Sequence, residues 1–339
     1  MAVPIIIAVG MAAFGVKKGI DAMDDFDSAK NLNLQANEIY DSAKDELEKK
    51  REAAKIALEK LGKSKIEIYK SSMIPFVKEF EKIKNIEFKE LSLGTEKISP
   101  PDKSEVKELC ETSLELEDIV SGGVTALGAG CLAGFAAYGS VGVLASASTG
   151  TAIGTLSGAA ATNATLAWLG GGSLASGGMG MAGGTAVLGG IVAGPVLAVG
   201  GMMLASKAEA AKNDAYSNKL KAELAVEHMK MAMTVTMAIE NQLMDMNKLI
   251  IKLDNIFTPL LSSFTQLVER SVNYKEYSEL DKKQVYVTVS TVQMLKMLLD
   301  TPILNSEGLP TQQSQQIIDL GPKLCNEVEQ AALPIVMHS

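Results

Sequence analysis

Apolar side chains recur along the first part of the chain with alternating spacings of four and three residues. Eight of the ten positions are apolar or aromatic, and the exceptions are Lys50 and Ser64. Such a seam, flanked by charged residues, is typical of a coiled-coil-like helix. It predicts one helical arm over residues 21–91, bent near Pro75. The ten positions are Ala36, Tyr40, Ala43, Leu47, Lys50, Ala54, Ala57, Leu61, Ser64 and Ile68.

A second and more regular series predicts another helical arm, which begins at Lys207. Thr236 is the single polar residue among its fourteen positions. Pro259 lies within the series and is expected to bend or break the helix, because proline has no N–H to donate. We expect the two arms to pack along their seams as an antiparallel stalk. The fourteen positions are Ala222, Ala225, Met229, Ala232, Thr236, Ile239, Leu243, Met246, Ile250, Leu253, Phe257, Leu260, Phe264 and Leu267.

Shorter elements follow each arm. Residues 93–103 contain glycine and prolines and predict a loop, after which Ser104 is expected to cap a helix that ends near Asp118. Residues 279–300 mix strand-prone valines with helix-prone leucines and methionines, and their length favours a helix.

The C-terminal part of the chain predicts a loop and one further helix. Residues 301–310 carry two prolines and a glycine, which is typical of a loop. A last helix is expected from Thr311 to Ala332, interrupted around Gly321 and Pro322.

Between the arms, the chain from Ile119 to Ser206 contains no Asp, Glu, Lys, Arg or His. These 88 residues hold 23 of the 30 glycines, and all 72 charged side chains lie outside them. Ordinary domains of water-soluble proteins are about a quarter charged throughout. The uncharged stretch therefore predicts a lipid-inserting segment or a buried core hairpin.

Small residues recur within this stretch at every fourth position. On a helix this spacing makes a ridge without bulky side chains, along which two helices can approach closely. The ridge predicts tight helix association, as occurs in lipid. Its members are Gly142, Ser146, Gly150, Gly154, Gly158 and Thr162, with Gly130 and Gly134 in the same register.

The uncharged stretch divides into three apolar helix candidates and a loop. The candidates are residues 119–147, 148–169 and 185–206, and the third is long enough to span a bilayer core, with Pro195 as a kink. Trp168 is expected at the membrane interface. The loop over 170–184 contains eight glycines, among them Gly170, Gly171, Gly172, Gly177 and Gly178.

Composition argues against several classes of function. A net charge of −8 disfavours nucleic-acid binding, which needs clustered Lys and Arg. Two histidines and three widely separated cysteines provide neither a catalytic nor a metal site. Gly178, Gly180 and Gly183 match a dinucleotide fingerprint but lack the acidic residue that should follow. We expect no enzymatic activity, no cofactor, no metal and no small-molecule substrate.

The first residues of the chain predict an apolar segment over residues 1–20. The run from Met1 to Val16 is uncharged and precedes Lys17 and Lys18, whereas a secretory signal has its positive charges before the apolar run. We expect no cleaved signal, synthesis in the cytoplasm, and association with a membrane.

The predicted fold class is all-α, with long antiparallel helical arms that bracket a Gly/Ala-rich apolar hairpin. The predicted regions are the N-terminal segment 1–20, the first arm 21–118, the hairpin 119–206, the second arm 207–300 and a C-terminal helical segment 301–339.

This arrangement resembles α-helical pore-forming toxins of the cytolysin A and haemolysin BL type. It also looks like the membrane-addressing region of apolipoprotein L proteins. The resemblance rests on the 119–206 stretch, on the run from Gly142 to Thr162 and on the flanking arms. It is architectural, and no functional residue is carried over from it.

Two functions are compatible with these features. The first is a membrane-active protein that inserts its glycine-zipper hairpin, oligomerises with further copies of itself and permeabilises or remodels the membrane. The second is a coiled-coil scaffold or adaptor, membrane-anchored or not, whose hairpin is a static anchor or core and which has no pore activity.

Overall fold

A computed structural model describes two long parts of the chain and several short ones. The described residues are 19–87, 91–93, 96–98, 106–107, 109–111, 113, 117, 135–137, 211–305 and 309–337. Nearly all of them are helical, so the all-α class with long helices is confirmed.

Five α-helices account for most of the described residues. They are α1 (Gly19–Ile68), α2 (Ile74–Phe80), α3 (Ala211–Arg270), α4 (Glu279–Asp300) and α5 (Gln312–Val336). A π-helical turn, Tyr69–Met73, joins α1 to α2, and a 3-10 turn, Tyr274–Glu276, lies between α3 and α4. The described residues between 106 and 117 are also helical.

Both predicted seams are buried faces. Thirteen of the fourteen positions in α3 are buried, and Ala232 is half-buried. In α1, seven of the ten positions are buried, while Tyr40, Lys50 and Ser64 are half-buried. The spacing of apolar residues therefore identified the packed face of each long helix.

The chain divides into two compact units. The described residues of unit 1 are 19–48 and 211–232, and those of unit 2 are 49–137 with its gaps and 233–337. The buried side chains of unit 1 are mostly alanines. Unit 2 contains a large core of Leu, Ile, Val, Phe and Tyr side chains.

Within each unit, α1 or its continuation packs parallel to α3, so the predicted antiparallel arrangement is wrong. In unit 1, Asn33 pairs with Asn218 and Gln35 with Lys219. In unit 2, Ser72 donates to Asp254 at 2.5 Å, and further along the chain Lys84 and Asn273 form a parallel bridge.

The error in the predicted helix direction has a simple physical cause. A heptad seam defines which face of a helix is buried, but an apolar seam can pack in either direction. The predicted direction rests only on the position of the arms on either side of one stretch. Two parallel helices instead require a long crossover connection.

Helices α3 and α5 both continue through proline. Helix α3 is unbroken at Pro259, and α5 runs from Gln312 to Val336 with Pro322 and Pro334 inside it. The predicted break in α5 around Gly321 and Pro322 is therefore wrong. Packing outweighs the missing hydrogen bond, because the neighbouring Phe257, Leu260 and Cys325 side chains are buried.

Helix α4 begins at a capping box. The Ser278 hydroxyl accepts from the Asp281 N–H, and the Asp281 carboxylate accepts from the Ser278 N–H. Val285, Val287 and Val289 are helical despite their strand propensity, as the length of the segment predicted. Residues 301–305 and 309–310 are irregular, in agreement with the predicted loop.

The first helical arm ends at Phe80, before the predicted end near residue 91. Asn85 has a φ of 61°, and the Lys84 N–H donates to Val272 O at 2.7 Å. A short antiparallel strand pair, Leu91–Leu93 with Glu96–Ile98, overlaps the end of the predicted arm and the predicted loop at 93–103. Strands of three residues are too short to leave a clear periodic signal.

Candidate functional site

The most unusual polar group among the described residues is the amine of Lys65. Its side chain is 0% exposed and lies in the core of unit 2. Its Nζ donates to Phe135 O at 3.4 Å and to Ala136 O at 3.2 Å. A buried amine needs such partners, because leaving water is costly for a charged group.

The residues that Lys65 holds come from the uncharged stretch. Phe135, Ala136 and Ala137 are helical and fully buried. Ala137 O accepts from the Ile303 N–H at 2.8 Å and from the Leu304 N–H at 3.4 Å. Three consecutive carbonyls of the stretch are therefore bonded to other parts of unit 2.

The acidic side chain that acts on Lys65 is Asp300, and it is hydrogen-bonded to Tyr69 and Lys296. The Tyr69 hydroxyl donates to Asp300 Oδ1 at 3.1 Å, and Lys296 Nζ donates to Asp300 Oδ2 at 2.9 Å. The Tyr69 ring packs on Phe135, with centroids 5.6 Å apart. We call Lys65, Tyr69, Asp300, Ile303 and Leu304 the Lys65 seat, and Phe135–Ala137 the segment that it holds.

Burial changes the protonation of Lys65. Loss of solvation lowers the pKa of the amine from 10.5 to about 7, although the negative charge of Asp300 acts to raise it. Near neutral pH, Lys65 is therefore present in both charged and neutral forms.

The Lys65 seat was not among the predicted sites. Its sequence signal is weak but present, since Lys65 follows Leu61 by four residues and precedes Tyr69 by four, which places it on the buried face. The sequence contains no indication that its partner is residues 135–137, because that contact spans 70 residues.

The predicted ridge, loop, interface and kink residues lie outside the described residues. This holds for Gly130, Gly134, Gly142, Ser146, Gly150, Gly154, Gly158, Thr162, Trp168, Gly170, Gly171, Gly172, Gly177, Gly178 and Pro195. The described residues adjacent in sequence to the ridge are Phe135–Ala137, directly after Gly134.

A polar groove of about 570 Å³ lies elsewhere on unit 2. Two of its three lysines have polar partners, Asp245 for Lys248 and Asn326 for Lys252. The lining residues are Lys60, Asn247, Lys248, Ile251, Lys252, Asn255, Ile256 and Glu329.

An apolar stripe lies on the surface of α3 in unit 1. Its side chains are more than half exposed and lie on the face opposite the buried seam. Such a stripe is typical of a surface that binds another helix. Its members are Tyr216, Leu220, Leu224 and Met231.

Comparisons with known protein families, with curated proteins and with solved structures find no match. Among the described residues, no helix is both long and apolar enough to cross a membrane. The same residues contain no group of three or more His, Cys, Asp or Glu side chains placed to hold a metal ion.

Proposed function

We propose that the protein is membrane-active: it is made in the cytoplasm, inserts its uncharged stretch into a lipid bilayer and, as a homo-oligomer, permeabilises or remodels it. The observation that carries the proposal is the Lys65 seat. It holds part of the uncharged stretch through a lysine that is itself buried away from water. Release of the segment returns Lys65 to water.

The segment Phe135–Ala137 cannot keep its hydrogen bonds to the Lys65 seat and enter a bilayer at the same time. In hydrocarbon, carbonyl groups must be bonded within the inserted helix itself. The carbonyls of Phe135, Ala136 and Ala137 accept from Lys65, Ile303 and Leu304, which lie outside the uncharged stretch. Insertion of this segment therefore requires these bonds to break. The segment cannot insert while it is bound in the Lys65 seat.

A liposome experiment tests the proposed function. We expect the full chain to float with vesicles and to release an entrapped dye. Binding without dye release would favour a static anchor. The absence of both binding and dye release would contradict membrane insertion.

A disulfide across the seat tests whether the segment must leave unit 2. The backbone hydrogen bond of 2.8 Å from Ile303 N to Ala137 O brings these two segments of the chain within reach of a disulfide. In a background without the three native cysteines, Ala137→Cys with Ile303→Cys should leak dye only after reduction. Each single variant is the matched control. Equal leakage from the oxidised and reduced double variant would show that the segment stays in place.

The predicted ridge is tested by enlarging its glycines. Gly150→Leu, Gly154→Leu and Gly158→Leu together should abolish dye release, because the added side chains separate helices that must approach closely. The corresponding Gly→Ala variants should retain most of the release. Unchanged release from the leucine variant would contradict a role for the ridge.

The apolar stripe of unit 1 favours a second candidate, a coiled-coil scaffold. In that case Leu220→Gln with Leu224→Gln would abolish binding of a partner helix, while the chain would release no dye with or without the change. Loss of dye release in the same variant would instead assign the stripe to oligomerisation of the pore. Sedimentation of the free chain, with and without the substitutions, measures that association.

A further inference from the structure

We propose that Lys65 is a pH-sensitive latch, and that protonation of its buried amine frees Phe135–Ala137 from the rest of unit 2. The membrane consequence rests on the proposed function, but the release itself does not require a membrane. The latch would supply the trigger for insertion.

The geometry supports this assignment because few groups can respond to the charge of Lys65. From α4 it faces Asp300, which also accepts from Lys296 and from Tyr69 of the π-helical turn. From α3, Asp254 accepts from Ser72, seven residues beyond Lys65 in the chain. The held segment offers Lys65 two backbone carbonyls and no titratable side chain.

The sign of the effect follows from the two environments of the amine. In the seat its pKa is about 7, and in water it returns to about 10.5. The released state therefore binds a proton more tightly than the held state, and acidification favours release. From pH 9 to pH 7 the release equilibrium should rise about 50-fold, and from pH 7 to pH 5 only about twofold.

The two carbonyl bonds do not reverse this direction. They measure 3.2 and 3.4 Å, which is long for bonds from an ammonium group. They therefore compensate only part of the lost hydration, consistent with the net lowering of the pKa by burial.

Hydrogen–deuterium exchange of the peptide that contains residues 135–137 tests the latch without lipid. After correction for the intrinsic exchange rate, opening in the natural chain should increase as the pH falls from 9 to 7 and then level off. Lys65→Met should open less and show no such dependence. Lys63→Met removes an exposed lysine of the same helix and should behave like the natural chain.

Two further variants keep the proposal falsifiable if Lys65→Met does not fold. Lys65→Arg places a permanent charge in the seat and should open equally at every pH in this range. Asp300→Asn removes the charge that favours protonation of Lys65. The opening of this variant should therefore level off at a lower pH than that of the natural chain. A pH-independent opening of the natural chain, or an unchanged profile in Lys65→Met, would overturn the latch.

Dye release measured over the same pH range separates the two proposals. Exchange that follows pH, without any dye release, would contradict the membrane function and leave the latch intact. Dye release with pH-independent exchange would contradict the latch and leave the membrane function intact.

Discussion

At the scale of single residues, Gly321 sets how closely α5 approaches α3. A Cβ at this position would lie 2.3 and 2.5 Å from the two methyl carbons of Leu249, which is buried. Gly321→Ala should therefore lower the free energy of unfolding. Overpacking costs about 1–3 kcal/mol, which outweighs the gain of up to about 1 kcal/mol in helix propensity.

A double variant provides the control for Gly321. When Leu249→Ala removes the obstructing methyl groups, Gly321→Ala should become neutral or stabilising, and denaturant titration measures all four proteins of the cycle. Equal effects of Gly321→Ala in both backgrounds would show that Leu249 does not set the approach.

Cys110 should be far less reactive than its partial exposure suggests. Burial, and then the negative charges of Glu81 and Glu111, raise the pKa of its thiol from 9.0 to about 11. Because the thiolate is the reactive form, alkylation at pH 8 should be about 100-fold slower than in the unfolded chain. Mass spectrometry after timed iodoacetamide treatment measures this rate, and equal rates in both states would contradict the shift.

At the scale of elements, the start of α4 depends on Ser278 and Asp281. Burial acts to raise the pKa of Asp281, but hydrogen bonds from the Ser278 hydroxyl and N–H and from Arg270 lower it overall. A carboxylate with a lowered pKa contributes stability above its ordinary value of 3.8, and this contribution is lost as the pH falls.

The cap can be tested by substitution and pH together. Ser278→Ala should lower the free energy of unfolding by about 1 kcal/mol at pH 7 and by less at pH 3. Ser262, an exposed serine within α3, is the matched control, and Ser262→Ala should have little effect. The same loss for Ser278→Ala at both pH values would contradict the contribution of the charged Asp281.

At the scale of the whole molecule, the two units differ in the apolar area that they bury. The described buried side chains of unit 1 are Ala36, Ala43, Leu47, Ala215, Ala222, Ala225 and Met229. Unit 2 buries many large aliphatic and aromatic side chains. Because stabilisation increases with buried apolar area, unit 1 should open more readily.

Hydrogen exchange along α3 measures this difference within one helix. Amides of residues 215–232 should exchange at least about tenfold faster than those of 239–267, because opening of unit 1 disrupts far fewer apolar contacts. Ala222→Leu, which adds bulk on a fully buried seam position, should accelerate exchange in unit 1. Uniform protection along α3 would contradict separate opening of the units.

The sequence by itself determined which faces of α1 and α3 are buried, because the spacing of apolar residues records the period of a helix. It also determined the helical state of α4, where length outweighed the strand propensity of Val285–Val289. These are local properties, which depend on neighbours a few residues away along the chain.

Only the tertiary structure decided the parallel direction of the helices within each unit, the continuity of α5 through Pro322 and the burial of Lys65. Each depends on partners far away in sequence. Seams pack in either direction. A proline is tolerated where packing compensates for the lost bond. An amine enters the core only where carbonyls such as those of Phe135 and Ala136 meet it.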